Sequence, residues 1–260
     1  KITKIECHVL LDPEYDPAAT SSAQDDLVVE VHTDEGIVGI GETDLNPWIA
    51  RECIEAPGTH TMDQGLGSML LGENPLEIEK LWWKAYQATA MTGRRGALIN
   101  ALGAIDMALW DIAGKAANKP VWQLLGEKSR EHLGAYASLQ PEVGSFDAYI
   151  SSMVKWAHSA KEMGFRAAKL ETTFSGPYAN MGIREDDEKM TEVIKAVRNA
   201  VGPDFTLMVD VQYAFDSVER AIKTINTWQE FDLFFVETPL WVDDLEGLSK
   251  LVAATPIKIA

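Results

Sequence analysis

The chain has 260 residues, 46% of them hydrophobic, with 23 Lys and Arg against 40 Asp and Glu, for a formal net charge of −17. That length and apolar content suffice for one large or two modest cores, while so negative a charge, with no basic block to reverse it locally, repels a phosphate backbone and argues against a nucleic-acid partner. The only cysteines, Cys7 and Cys53, have no paired spacing, which excludes a cysteine zinc site and points to a reducing, cytoplasmic compartment.

In chain order, residues 1–45 read as β. The stretch "DDLVVEVHTDEGIVGIGET" holds two alternating runs, Leu27 to His32 and Ile37 to Gly41, around the turn "TDEG", the pattern of a hairpin. Polar, Pro-containing stretches on either side, about 12–24 and 43–60, read as long loops. From about Asn74 to Asn118 the apolar spacing becomes helical, and "PVWQLLG" then closes at Gly126. The apolar runs read as shorter than a membrane span and no charged-then-apolar leader opens the chain, so neither a membrane partner nor a signal peptide is expected.

Beyond Leu133 short apolar runs, "LGAYASL", "FRAAKLE", "TLMVDV", "LFFVET" and "PIKIA", alternate with amphipathic stretches near 146–163, 185–201, 216–230 and 243–254. Asp216 with Glu219, and Asp243 with Glu246, read as capping boxes that open two of these helices. Strict strand–helix alternation means parallel βα units and, by length, a (β/α) barrel. Five strands are legible where a closed barrel needs roughly eight. The organisation expected is an α+β domain over residues 1–128 and the first part of a barrel over 129–260.

Catalytic groups of such barrels come from the C-terminal ends of the strands. Side chains two apart on a strand share a face, so Lys169 and Glu171 point together at the end of one strand and Asp210 and Gln212 at the end of the next, with Glu237 ending the one after. A single acid in such a place is often a cap for the following helix, but later Asp residues already serve as caps, and Thr-Pro after Glu237 does not suit a helix start. Two acids on adjacent strand ends beside a lysine are better explained as oxygen ligands of a hard cation such as Mg²⁺. His8, His32, His60, His132 and His158 carry no comparable context. The tryptophans read as core residues, apart from Trp48 in the loop after the hairpin.

The segments "ALGAIDMALWDIAGKAANKPVWQLLG" (101–126), "GFRAAKLE" (164–171), "LMVDVQYAF" (207–215), "FFVETPL" (234–240) and "TPIKIA" (255–260) together resemble the mandelate racemase / muconate lactonizing enzyme group of the enolase superfamily. The resemblance implies an N-terminal α+β capping domain whose loops close over a modified (β/α)₇β barrel, and Mg²⁺ held by three carboxylates on successive strands. Asp210 and Glu237 match the first two. The third belongs to a Gly-Glu pair after "IA", so a chain ending at Ala260 reads as truncated by on the order of a hundred residues, judged by the barrel count, and alone should neither close its barrel nor turn over. Lys169 matches the first lysine of a Lys-x-Lys motif; Glu171 stands in place of the second, a proton-transfer base, and Gln212 in place of a frequent asparagine.

The chemistry implied is abstraction of a proton α to a carboxylate, with the charge that develops held by the metal and a nearby ammonium. Racemisation needs a base on each face of the carbon, so Glu171 in place of lysine favours a one-base dehydration of a sugar acid. The alternatives are an epimerase, racemase or cycloisomerase with Glu171 as second base, a Schiff-base aldolase using Lys169, and a metal-binding member without turnover. Candidate substrate contacts are Gln212, then Tyr15, Trp48 and His60 in the capping loops, and Tyr178 and Arg184 in the long stretch after the second barrel strand. A homo-oligomer is expected.

Overall fold

The computed structural model describes residues 1–15, 24–128, 130–141, 144–179, 183 and 185–260. Most of the first capping loop and Arg184 lie outside the described residues. The chain divides into two units, Lys1–Glu131 and His132–Ala260.

In the first unit an antiparallel sheet of β1 (Ile2–Leu11), β2 (Asp25–Thr33) and β3 (Val38–Thr43) has β2 at its centre. Period-2 alternation puts Leu27, Val29 and Val31 on the buried face and turns Val28, Glu30 and His32 the other way. The hairpin turn closes through Gly36, whose φ of +77° suits glycine, while Thr33 exchanges hydrogen bonds with Ile37. Helices α1 (Pro47–Glu55), α2 (Leu66–Leu70), α3 (Ile78–Ala88), α4 (Ala97–Ala117) and α5 (Val121–Leu125) follow. Gly39 and Gly41 are there for α4: a Cβ at either would lie about 2 Å from the carbonyl oxygen of Ala108 (2.0 Å) or Ala104 (1.9 Å). Helix and strand thus meet backbone to backbone.

Two expectations are corrected here. Residues 43–60 are not a plain loop, because α1 forms within them; the Asn46 side chain accepts the Ile49 N–H and Pro47 supplies the first helical φ. Among the described residues one helix, α4, is long and apolar enough to cross a membrane by length and composition alone. Its Ala101, Leu102, Ala104, Ile105, Ala108, Leu109 and Ile112 are instead buried in the core of this unit. The tryptophans expected in the core, too, are less buried than that: Trp228 is fully enclosed, but Trp83, Trp122, Trp156 and Trp241 are each more than two-fifths exposed.

In the second unit β4 (Ala137–Leu139), β5 (Ala167–Glu171), β6 (Thr206–Asp210), β7 (Leu233–Glu237) and β8 (Lys258–Ile259) form a parallel sheet in chain order. The connections are α6 (Phe146–Glu162), α7 (Asp187–Val201), α8 (Val218–Thr227) with a 3₁₀ turn over Trp228–Phe231, and α9 (Leu245–Ala254). Parallel strands covered by helices read as apolar runs, and Ala168, Leu170, Leu207, Val209 and Val236 are fully buried against Val193, Ile194, Val197, Ala221 and Leu251 from the helices. The caps of α8 and α9 fall one residue later than the boxes read from the sequence: Ser217 accepts from Arg220 N–H and Asp244 from Gly247 N–H.

Asp187, at the start of α7, accepts from Arg220 (Nη2 2.5 Å, Nε 3.0 Å) and from Thr224 Oγ1 at 2.8 Å. Arg220 also donates to Ser175 Oγ and the Ala214 carbonyl, so one guanidinium ties α7, α8 and the loops after β5 and β6 together. Burial pushes the Asp187 carboxyl up, but the hydrogen bonds from Arg220 and Thr224 outweigh it and hold the group below the ordinary carboxylate range.

Adding a methyl at the strand–helix contact, Gly41→Ala, should destabilise the protein by about 1–3 kcal/mol, the usual cost of overpacking, as read from urea denaturation. The Asp187 cluster contributes stability that is present above the unfolded carboxylate pKa and is lost as pH falls through the lower folded value. Asp187→Asn should therefore be less stable than the parent at neutral pH and show a flatter loss of stability on acidification, measured by denaturation across pH 2 to 7.

Candidate active site

The candidate groups of the second unit lie in one row. Glu171 pairs in register with Asp210, and Asp210 with Glu237, so three carboxylates end three adjacent parallel strands at the same level. Lys169, one side-chain step below Glu171 on the same face, extends into the row. Its Nζ donates to Glu237 Oε2 at 2.8 Å and lies 3.8 Å from Asp210 Oδ2, with the Tyr136 ring 5.9 Å away. Burial pulls the ammonium down, but the hydrogen bond to Glu237 and the charges of Glu237 and Asp210 outweigh it, and the pKa lies above the usual lysine value. Lys169 is a fixed cation here.

Asp210 is held as firmly from the other side. Its Oδ1 accepts both the Gln212 N–H at 3.0 Å and the Thr238 Oγ1–H at 2.8 Å, which leaves Oδ2 towards the lysine. These bonds require unusual backbone: Gln212, Tyr213 and Thr238 have φ of +43°, +62° and +48°. A β-branched residue there is strained, and Thr238 is kept in place by all its polar groups. Its N–H donates to the Ala260 carbonyl at 2.9 Å and its own carbonyl accepts from Tyr213 N–H at 2.7 Å. Glu171 is only 8% exposed, and the Tyr149 hydroxyl, from α6, donates to its carbonyl. The Thr172 and Thr173 hydroxyls that follow are buried without a hydrogen-bond partner among the described residues.

The other residues singled out in the sequence are placed as follows. Gln212 acts on Asp210 through its backbone. Tyr178 stands in a ladder of rings, 5.8 Å from Tyr213, which is in turn 4.9 Å from Trp241. Tyr213 and Trp241, with Ser175, Gly176 and Arg220, line a cavity of about 460 Å³ among the loops after β5, β6 and β7. In the first unit, Tyr15 is half exposed and its N–H donates to the Asp12 carbonyl. Trp48 is exposed on α1 beside a groove of about 650 Å³ that also takes in Cys53, Pro57 and Gln64. His60 closes a small turn with Asp63, its Nδ1 accepting the Met62 N–H at 3.4 Å.

Sequence reasoning missed Thr238 and Tyr149. The Thr-Pro after Glu237 was the available signal for the first, since a turn placed there bends the chain back over the strand end; nothing local marks Tyr149.

Two family descriptions match the chain: mandelate racemase / muconate lactonizing enzyme, N-terminal domain, over residues 4–126, and enolase C-terminal domain-like, over residues 152–260. The chain belongs to the mandelate racemase / muconate lactonizing enzyme family. Among similar members, an L-rhamnonate dehydratase of Saccharopolyspora erythraea is 33% identical over 88% of this chain and 52% of its own length. A D-galactarolactone cycloisomerase of Agrobacterium fabrum is 32% identical over 100% and 64%, and an arabinonate dehydratase of Saccharolobus solfataricus 31% identical over 90% and 57%. The chain thus spans between about half and two thirds of the length of these relatives. In structure it resembles the 3,6-anhydro-D-galactonate cycloisomerase of Zobellia galactanivorans, with a TM-score of 0.78 and 27% identity over 100% of this chain and 64% of that one. Family membership implies an N-terminal cap followed by (β/α) barrel strands.

Thr238→Val removes the hydroxyl donor at nearly constant shape and keeps a β-branched residue at the strained position. It should cost about 1–3 kcal/mol for the under-satisfied Asp210 oxygen, while Thr238→Ser should restore most of it, both measured by chemical denaturation.

Proposed function

We propose that residues 129–260 supply the first strands of a barrel that catalyses Mg²⁺-dependent abstraction of a proton α to a carboxylate through an enediolate, most simply dehydration of a sugar acid, with residues 1–128 as its cap. The observation that carries this is the in-register row at the strand ends, where Asp210 and Glu237 face one ammonium. The donor set fits the metal: both groups are hard carboxylate oxygens on neighbouring strands, and Asp210 is pre-oriented by Gln212 and Thr238 with Oδ2 left for a cation. Bound there, Mg²⁺ would supply electrostatic stabilisation for the charge that develops on the substrate carboxylate.

The remaining work falls to the chain's own side chains. Lys169, charged and fixed by Glu237, is oriented to hold a substrate carboxylate and to offset the acids around it. Glu171, at the same level as Asp210, is placed to hydrogen-bond a substrate hydroxyl or to exchange a proton with it. Gln212 is the further candidate contact from the strand ends, and Tyr178 and Arg184 those from the loop after β5. Tyr15, Trp48 and His60 are the candidates from the cap. The dehydratases among the relatives favour loss of water; the cycloisomerase keeps an isomerase of the same superfamily as the second reading. A soluble, cytoplasmic homo-oligomer without nucleic-acid or membrane partners is the setting we propose for it.

With aldonic and aldaric acids and Mg²⁺, the whole protein should form a 2-keto-3-deoxy product, seen as a new carbonyl, without accumulating α-deuterated starting acid in D₂O. Asp210→Asn and Glu237→Gln should each lower kcat/KM by at least about a hundredfold, on the scale of losing a preorganised electrostatic group, and should weaken Mn²⁺ binding measured by electron paramagnetic resonance. Solvent deuterium at the α carbon without water loss would favour the isomerase. Neither exchange nor turnover on the whole panel would remove both readings.

A further inference from the structure

The sheet of the first unit carries a second group of metal-binding side chains, independent of the strand-end carboxylates. Glu6 pairs with Glu30, His8 with Val28 and Lys4 with His32, so alternation places Glu6, His8, Glu30 and His32 on one face, opposite to that of the core residues Val29 and Val31. Two glutamates directly opposite each other on neighbouring strands repel, and both imidazoles are drawn to them. His32 Nε2 lies 2.9 Å from Glu6 Oε2 and 3.3 Å from Glu30 Oε2, and His8 Nε2 lies 3.5 Å from that same Glu30 oxygen.

Three details bear on a ligand. The ligand atoms of Glu6, Glu30 and His32 all lie within 4.8 Å of one another. Lys4 takes the other oxygen of Glu6, Oε1, at 2.5 Å, so Oε2 is the one presented to His32. Finally, His32 Nε2 is shut off from solvent and, among the described residues, makes no well-aligned hydrogen bond, although two carboxylate oxygens stand within 3.3 Å of it. A ring nitrogen close to two anionic oxygens but out of line with both fits a lone pair directed at a shared cation better than an N–H donor.

The geometry also suits the ion. Bonds of about 2.0–2.1 Å to a tetrahedral centre give edges of about 3.3 Å between donor atoms, and the contacts of His32 Nε2 with Glu6 and Glu30, 2.9 and 3.3 Å, lie close to that value. An imidazole nitrogen with two carboxylates selects a borderline ion such as Zn²⁺ over Mg²⁺, which takes oxygen donors in octahedral geometry. We propose that Glu6, Glu30 and His32 form a three-ligand Zn²⁺ site, its fourth position left to water, that clips the edge strand β1 to the central strand β2.

The test is titration of the full chain with Zn²⁺ alone, followed by calorimetry and by thermal unfolding, with Asp210→Asn/Glu237→Gln as the background that removes the strand-end carboxylates. One saturable Zn²⁺ event should persist in that background and raise the unfolding temperature. His32→Gln should weaken it by at least about tenfold, the lower bound for disturbing a metal's ligand shell; Glu6→Gln/His32→Gln should abolish both the heat and the temperature shift. Excess Mg²⁺ should not compete. Zn²⁺ binding that vanishes with Asp210→Asn/Glu237→Gln, or that survives unchanged in Glu6→Gln/His32→Gln, would overturn the proposal and leave the enediolate reading untouched.

Discussion

A single ammonium makes the charged end of the parallel sheet tenable. Carboxylates brought to the same level on adjacent strands repel one another, and burial makes that repulsion worse; at about 4 Å and an effective dielectric near 20, each unit-charge interaction is worth roughly 4 kcal/mol before desolvation is counted. Lys169, at 2.8 Å from Glu237 and 3.8 Å from Asp210, offsets two such charges at once. Its position follows from strand periodicity alone, because a residue two before Glu171 must face the same way. On its other side the Asp210 carboxylate is restrained by Gln212 and Thr238.

Much of this was legible in the residues. Charges that end apolar runs are hard to place anywhere but at strand ends, so the positions of Lys169, Glu171, Asp210 and Glu237, the hairpin and all five parallel strands could be read directly. What could not be read depended on information outside the local pattern. Helix α1 is nine residues long, too short for its periodicity to stand out from a stretch rich in turn formers, although Asn46-Pro47 announced it. Asp216 and Ser217 are both good cap residues, as are Asp243 and Asp244, and only the backbone path decides between neighbours. Thr238 matters through a left-handed conformation and a bond to Asp210 on the neighbouring strand; the Thr-Pro pair signals a turn there but neither the conformation nor the bond.

The two units use opposite means of packing a helix on a sheet. In the first, Gly39 and Gly41 strip the strand of side chains so that α4 can approach its backbone; in the second, branched and aromatic residues such as Ile194, Val197 and Trp228 fill the space beneath the strands. The first is intolerant of any added atom, whereas the second can exchange one apolar shape for another at moderate cost. Insertions of bulk should therefore be felt most sharply at the β3–α4 contact.

The loops that leave β6 and β7 are laced to each other: Val211 and Tyr213 donate to Glu237 and Thr238, Phe215 donates to Pro239, and Thr238 donates on to Ala260. Pairing thus continues beyond the formal strand ends, just past the acids. Tyr178 and Trp241 flank the Tyr213 ring from either side, and the bonds that tie this segment together run through backbone rather than through those rings, so the path of the chain at the strand ends is set independently of the aromatic side chains stacked on it.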